Sequence, residues 1–541
     1  MFVPRSPHIN TFEKQTETMS TSQHLPAAWP PALSASTLAD LQQAGAVYAL
    51  ANSLVFRLPS PAGVHAFHVP FTLLPSPFPR DQFEKAKRVQ TAYNQLYLNI
   101  ATSPALIREV LGTSIAKVDG FVGRLYELWE AAEKEAGEAG ETQVGLGIFR
   151  NDFLLHQAGQ EPSQPLVIKQ VEFNTVSVSF GSLASKVSGL HRYIMGRLEG
   201  SPATMSGARQ QLPASPNPAL QAISKALAMA HQHYVAVECP AAVPVILMVV
   251  KPNDNNIFDQ SLIEFELDAG AESVRMVRLS CHSVLEKTRV DGASKKLFLD
   301  AGGADGPTWV EVSVVYYRSM YGPEDFVGEA EWRGRYELER SRAINCPSLA
   351  IQLAGCKKFQ QVLTEPGFIE RHSGILLADM TAAMWAEIGE TWTEIYALES
   401  AEGMRIAREE PAGFVLKPQR EGGGNNIYGR DIPGFVAGLA ASERESYILM
   451  RLIEPPRKVF NYLLRSGPPP TSTTPAAQLE RTEVVSELGI YGCCLVAATR
   501  GSARQVLWNS QEGHVLRTKD SFSGEGGVAI GISCLDSPLL F

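Results

Sequence analysis

The stretch Lys417-Pro-Gln-Arg-Glu-Gly-Gly-Gly-Asn-Asn-Ile-Tyr-Gly429 constrains this chain more than any other part of it. It follows Phe414-Val-Leu, an apolar run that reads as a short buried strand. Gly422, Gly423 and Gly424 remove every Cβ from the loop, so its backbone N–H groups can close on an anion without steric conflict. Lys417 at the strand end supplies a point charge for a phosphate, and Glu421 sets a carboxylate beside the loop for a divalent ion. Asn425, Asn426 and Tyr428 add polar groups just past the glycines. A solvated turn would also use glycines, but it does not need Lys, Arg, Glu, two Asn and Tyr packed around them. Strand, loop and charges together predict an anion-holding site.

At 541 residues, two or three domains with shared interfaces are expected. The 45% hydrophobic and 19% charged content suits a globular enzyme with substantial cores. A net charge of −9 and no Lys/Arg block argue against a general nucleic-acid binder. Seven cysteines without a CxxC pair read as reduced, cytosolic thiols, and a cytoplasmic location is expected. No apolar run approaches the ~20 residues of a spanning helix, so no membrane contact is expected. Residues 1–30, rich in Pro, Ser, Thr and His, read as a disordered extension rather than a presequence. There is no GxxxxGK[ST] phosphate loop, no zinc spacing and no GxSxG elbow.

Along the chain, Pro31 to Arg150 reads mainly helical, with apolar spacing of three and four over Gln82–Ile100 and Pro104–Ala136. Leu166 to Asn174 reads as a strand, and Ser201 to Pro218 as a Pro/Ser/Ala connector. A helix over Ala219–Val235 leads into Val243–Val250, typical of a strand buried on both faces. Alternating strands and helices follow to about 355, ending in Trp309–Tyr317 and a charged helix over Glu324–Arg342. Phe414–Pro418, Tyr447–Ile453 and Val484–Val496 read as strands, with a low-complexity surface loop over 466–480.

Glu172 and Asn174 sit two apart on a predicted strand, so both leave one face while Val171 and Phe173 leave the other. Carboxylate plus amide oxygen suits Mg²⁺, which also takes phosphate oxygens and water. An edge strand with two polar residues facing solvent would show the same periodicity.

Several collinear segments carry a family resemblance. They are the glycine-rich stretch, Val171-Glu-Phe-Asn-Thr-Val-Ser-Val-Ser-Phe-Gly181, Asn256-Ile-Phe-Asp-Gln260, Val315-Tyr-Tyr-Arg-Ser-Met-Tyr321 and Cys346-Pro-Ser-Leu-Ala-Ile-Gln-Leu-Ala-Gly-Cys-Lys357. Tyr447 to Pro455, Ser486-Glu-Leu-Gly489 and Leu516-Arg-Thr-Lys519 complete the set. From about residue 30 onward the chain resembles the eukaryotic-type glutathione synthetases, ATP-dependent ligases of the ATP-grasp fold. The resemblance implies an α/β fold with permuted element order, an inserted substrate-binding domain and a glycine-rich lid. It divides the chain into the 1–30 extension, an N-terminal part of the body over 31–242, the substrate-binding domain over 243–355 and an ATP-binding part over 356–541. It implies a homodimer using ATP and Mg²⁺ to join γ-glutamylcysteine to glycine through an acyl phosphate. A ligase with another small amine acceptor and a catalytically impaired nucleotide-binding paralogue are the alternatives.

By the same resemblance, Glu172, Asn174 and Glu421 hold the metal, and Arg517, Lys417, Gly422 and Gly423 act in catalysis. Lys357, Lys417, Asn425, Asn426, Tyr428, Lys519 and Glu525 meet ATP, together with Glu172 and Glu421. Met450, Arg451 and Ile453 belong to the strand against which adenine lies, and Glu487 resembles the acid that meets the ribose. Arg451 stands where the family pattern usually has Glu, and Glu525 where it commonly has Asp. Arg150, Arg318 and Arg517 are implied carboxylate clamps, because a planar guanidinium can hold a carboxylate through two parallel hydrogen bonds. Val176, Ser177, Val178, Ser179, Asp254, Asn256, Gln260 and Tyr321 resemble the remainder of the peptide pocket. Val528 and Ala529 match substrate-touching positions of the lid.

Overall fold

The computed structural model describes residues 29–58, 64–139, 142–199, 208–213, 217–270, 273–302, 306–422, 424–465, 479–499, 504–524 and 526–541. Gly423, Glu525, most of the 1–30 extension and nearly all of the 466–480 loop fall outside them, as does much of the 201–218 connector.

A large mixed sheet, thirteen-stranded among the described residues, organises the chain. Its centre is a run of neighbours: Val167–Asn174, Thr142–His156, Leu479–Thr499 and Gln505–Asp520, each antiparallel to the next. Ile344–Cys346, Trp309–Arg318 and Val245–Val250 extend the sheet in parallel pairing on the other side of Thr142–His156. The strands of the 243–355 segment thus continue the main sheet. They also carry a separate apolar core that includes Leu247, Val249, Leu299, Val315 and Leu338.

Alternation along the long central strand explains the layering. Tyr491, Cys493 and Leu495 point into one core, and Leu488, Ile490, Cys494 and Val496 into the other. The first core is covered by the helices Ala35–Ala51, Gly181–Leu198, Ala219–Glu238 and Ile257–Ala269. The second is covered by Arg80–Ala101 and Gly120–Ala139, with Trp129 fully buried. A smaller antiparallel sheet of Ile395–Ala397, Tyr447–Arg451, Phe414–Pro418 and Ile427–Tyr428 stands apart from the large one.

Three expectations change. The region to Arg150 is less helical than its spacing predicts, because Arg150 lies inside the fifteen-residue strand Thr142–His156. Its apolar run has no polar stripe because both faces are covered. The Pro104–Ala136 helix is broken into a short helix at Pro104–Ile107, a π turn, a 3₁₀ turn and a new helix from Gly120. Asp119 caps that restart by accepting from the N–H groups of Phe121 and Val122 at 3.0 and 2.9 Å. The charged helix spans Glu329–Glu339 and follows a 3₁₀ turn that Pro323 opens.

The second core also aims the candidate metal strand. Phe173 stacks on Tyr97, ring centroids 4.0 Å apart, and packs against Tyr93 and Phe149. A bulge between the Asp152–Glu172 and Phe153–Gln170 pairs inserts Val171 as the extra residue. Ile168 and Phe173 therefore share the core face, whereas half-buried Val171 lines a cavity instead of joining Phe173.

Gly355, two residues before Lys357, is held against Thr175, the residue that follows the Glu172 strand, where a Cβ would collide with the Thr175 hydroxyl. This contact joins the Lys357 helix to the candidate metal strand. Gly355→Ala is expected to cost about 1–3 kcal/mol by overpacking, read as a lowered urea midpoint with an unchanged slope.

Candidate functional site

Register places the charged residues together. Arg150 pairs with Asn174, Asp152 with Glu172, Gly489 with Asp152, and Glu487 with Arg517. The four adjacent strands thus raise Arg150, Asp152, Glu172, Asn174, Glu487 and Arg517 in one patch.

Asp152, fully buried, is its hub. Arg150 donates to it through Nε and Nη2 at 2.7 and 2.9 Å. Asn174 Nδ2 and Arg517 Nη2 donate to its Oδ2, each at 2.9 Å. Arg517 Nη2 also donates to Glu487 at 2.7 Å. Gly489 leaves the room this requires, since a Cβ there would lie 2.7 Å from Asp152 Oδ1 and 2.8 Å from Arg150 Cδ. The sequence alone assigns no role to Gly489 or to Asp152. The available signal was the polar triple Arg150-Asn151-Asp152 inside an otherwise apolar strand.

Two lysines enter from other elements. Lys357, at the start of the helix Lys357–Val362, lies 3.5 Å from Glu172 and donates to the carbonyl of Arg420 at 2.7 Å. Lys417, at the end of its strand, donates to the carbonyl of Val171 at 3.1 Å. Arg420 is itself pinned to Asp119 at 2.6 Å, and Gln419 accepts from the N–H of Lys358 at 3.1 Å. These ties fix the backbone on the approach to Glu421. Gly422 and Gly424 then adopt φ values of +78° and +96°, which only glycine adopts freely.

The electrostatics are those of a compensated buried cluster. Burial alone would raise the Glu172 carboxyl, but Lys357, Lys417, Arg150 and Arg517 outweigh it and hold it at about 2. Glu421 goes the other way: burial pushes it up, and the neighbouring Glu172 adds to the rise against Lys357. Glu487 is likewise raised by burial, with Arg517 opposing. The Lys417 ammonium is lowered by burial, whereas Lys357 is raised because Glu421 and Glu172 override its burial. Glu421 and Glu487 are therefore carboxylates that their cationic neighbours compensate only in part.

That imbalance is one a divalent cation would correct. Both amide protons of Asn174 are committed, to Asp152 and to the carbonyl of Arg150, which leaves Oδ1 as the atom available to a hard cation. Among the described residues no group of three or more His, Cys, Asp or Glu is arranged to hold a metal. The oxygen donors on hand are the carboxylates of Glu172 and Glu421 and the amide oxygen of Asn174, hard ligands of the kind that suit a divalent ion such as Mg²⁺.

A cavity of about 510 Å³ adjoins the cluster, lined by residues of the small sheet and of the central strands of the large one. Val171, Val415 and Met450 give it apolar walls, and Lys417, Lys519, Asn426 and Tyr428 line it as well. A larger cavity of about 730 Å³ lies behind the Arg451–Ile453 segment and includes neither Lys417 nor Glu421. Arg451 turns its exposed side chain to Glu394 at 2.7 Å and lies 4.8 Å over the ring of Phe414, so it ties two elements of the small sheet. Glu487 sits in the charged cluster, while Glu483 and Val485 of the same strand line the cavity. Asn425 is exposed, and Lys519 donates to the carbonyl of Gly524 at 3.0 Å.

Several other residues implied for the peptide lie around Asp259. Arg318, buried, donates to Asp259 at 2.9 Å, and its Nη1 has no partner among the described residues. Asp259, another residue the sequence reading left without a role, also accepts from the N–H groups of Phe180 and Ser182 at 3.0 and 3.1 Å. It thereby stabilises a loop in which Ser177 and Phe180 take φ values of +52° and +71°. Ser177 donates to the carbonyl of Tyr317, and Tyr491 donates to that of Ser179. Asp254 accepts from Gln260 and from the N–H of Asn256, whose Oδ1 is buried with no partner among the described residues. The Lys251 ammonium lies 4.1 Å from the ring centroid of Tyr321. Val176 is buried, and the side chains of Val178 and Val528 belong to one apolar core, so the latter two reach a ligand only through their backbone. Ala529 is exposed.

The family model for the eukaryotic glutathione synthase ATP-binding domain matches residues 35–540. Glutathione synthetase from Xenopus laevis is 36% identical over 487 residues, 89% of this chain and 92% of that protein. The glutathione synthetase large chain of Schizosaccharomyces pombe is 36% identical over 489 residues, 87% and 91% of the two chains. Human glutathione synthetase is 34% identical over 476 residues, 87% and 90%. Among solved structures, a glutathione synthetase-like effector from Globodera pallida in its apo form shares the fold. Its TM-score is 0.69 at 23% identity, covering 94% of this chain and 98% of that one. The chain belongs to the eukaryotic glutathione synthetase family of ATP-dependent ligases.

Proposed function

We propose that the charged patch and its adjoining cavity form one active site, which joins γ-glutamylcysteine to glycine at the expense of ATP, by way of an acyl phosphate. The observation that carries this reading is the position of Lys417. It lines the cavity and also sits within electrostatic reach of Glu172, so a nucleotide in the cavity would present its phosphates to the cluster. On this reading the small sheet and the large sheet are the two jaws of an ATP-grasp fold with permuted element order. The 356–541 segment supplies most of the nucleotide wall, and the 243–355 segment supplies Arg318, Asn256 and Tyr321 to the peptide.

A carboxylate does not acylate an amine at useful rates, because its leaving group would be oxide. Transfer of the γ-phosphoryl to the peptide carboxylate replaces oxide by phosphate, and the glycine amine then displaces that phosphate. Lys357 and Lys417 neutralise charge at the transferring phosphoryl, and the glycine-rich loop closes backbone N–H groups over it. Arg150 and Arg517, held by Asp152, and Arg318, held by Asp259, orient the carboxylates. Glu172, Glu421 and Asn174 Oδ1 would hold Mg²⁺, which supplies further neutralisation of the phosphates. Gly526–Ala529, anchored in the core by Val528, serves as the hinge of a lid that keeps water from the acyl phosphate. A homodimer fits the exposed apolar residues Val47 and Leu50 on the Ala35–Ala51 helix.

ADP release with γ-glutamylcysteine and glycine should match glutathione formation one to one, and should fall sharply when glycine is withheld. ADP release that ignores glycine, or that yields no glutathione, would contradict the proposal. Glu421→Gln should lower turnover about 10²–10³-fold on the scale of a lost transition-state contact while the protein stays folded. Since a partly compensated carboxylate is what a cation relieves, Mg²⁺ with nucleotide should raise the melting temperature of the native protein more than that of Glu421→Gln. Near-native turnover at saturating Mg²⁺ would remove Glu421 from the metal site.

A further inference from the structure

The turn Ser521–Gly524 lies at the mouth of the cavity assigned to the nucleotide. It is closely tied. Asp520 accepts from the N–H and the hydroxyl of Ser523, both at 2.8 Å, and from Arg465 at 2.8 Å. Arg465 reaches across to the carbonyls of Gly531 and Ile532 at 3.1 Å, and the N–H of Ser521 donates to the carbonyl of Glu483 at 2.8 Å. At the tip of this well-anchored turn stands Phe522. It is 84% exposed, the most exposed large hydrophobic side chain among the described residues, yet it lines the cavity.

A ring held in water by an ordered turn is unfavourable for the free protein, because its apolar area gains nothing from folding. The same anchoring means that a ligand need not order the loop before touching the ring. Met450, Leu452, Ile453, Pro455 and Pro456 give the same cavity an apolar lining, and Lys417 and Lys519 line it as well. A flat heteroaromatic group attached to a polyanion is the chemistry that matches both kinds of lining.

We infer that Phe522 is a purine-recognition residue, an aromatic wall that stacks on the base of the bound nucleotide against the Met450–Ile453 segment. This rests on the reading of the cavity as the ATP site and adds to it the element that selects the base. The Met450–Ile453 segment offers backbone groups and aliphatic side chains, and a stacking ring adds a contact that grows with the area of the base, larger for a purine than for a pyrimidine. Because Phe522 is solvent-facing, its replacement leaves the packed cores untouched.

The test is calorimetric titration of AMP-PNP, a non-hydrolysable ATP analogue, and of CTP into the full-length protein with Mg²⁺. Phe522→Ala should weaken AMP-PNP about fivefold to tenfold, the lower end of base–aromatic stacking, and weaken CTP less. Phe522→Trp should restore AMP-PNP affinity, and its indole fluorescence should change on binding. In turnover, the effect of Phe522→Ala should fall on the KM for ATP rather than on kcat. AMP-PNP affinity within twofold of the native protein, or an equal loss for AMP-PNP and CTP, would overturn the inference. Lys417→Met separates the two readings: if it binds AMP-PNP as the native protein does, the nucleotide site itself is misassigned, whatever Phe522 does.

Discussion

The four hydrogen bonds that converge on Asp152 are the interaction on which the site depends. A fully buried carboxylate is tolerated only if its lone pairs are filled, and Arg150, Arg517 and Asn174 fill them. The arrangement does more than offset desolvation. It fixes two guanidinium groups and turns the Asn174 amide so that its oxygen is the free end. One carboxylate thus sets the groups assigned to the peptide and a ligand assigned to the metal.

The cluster is also balanced rather than merely charged. Asp152, Glu172, Glu421 and Glu487 face Arg150, Arg517, Lys357 and Lys417, but the compensation is uneven, so Glu172 is firmly ionised while Glu421 is pushed up by burial. One of the partly compensated acids, Glu421, lies at the root of the glycine-rich loop, where a bound nucleotide and cation would bring new charge. Phosphoryl transfer needs little covalent help from the protein, so a preset array of charges in a buried patch is most of what such a site must provide. The apolar layers serve this array. Tyr97 stacked on Phe173 aims the Glu172 strand, and the close approach of Gly355 to Thr175 delivers Lys357 to it.

Much of this was legible in the sequence where several residue types had to coincide in a short span. The glycine-rich loop announced itself because strand, lysine, carboxylate and glycines stood together, whereas two-residue spacing only put Glu172 and Asn174 on one face and the family resemblance made them candidate ligands. Pairing across strands was not legible. Asp152 and Asp259 act on residues distant in the sequence, Arg517 and Arg318, and no local pattern reveals a register. The bulge at Val171 breaks the alternation that predicted its direction, and Arg150 looked helical in context because a strand buried on both faces has no polar stripe. The side chain of Val528 reads as a lid contact in the sequence, but burial places it in the core.

Steady-state kinetics of Asp152→Asn, with γ-glutamylcysteine varied at saturating Mg²⁺, ATP and glycine, tests the central claim most directly. The substitution keeps the shape and removes the charge that holds two buried arginines. Breaking such a pair costs about 3–5 kcal/mol, so folding is first confirmed by circular dichroism. The hub account predicts that kcat/KM for the peptide falls at least about 100-fold in the folded variant, about 2.8 kcal/mol of lost transition-state stabilisation. A folded Asp152→Asn protein with kcat/KM within a few-fold of the native value would contradict it.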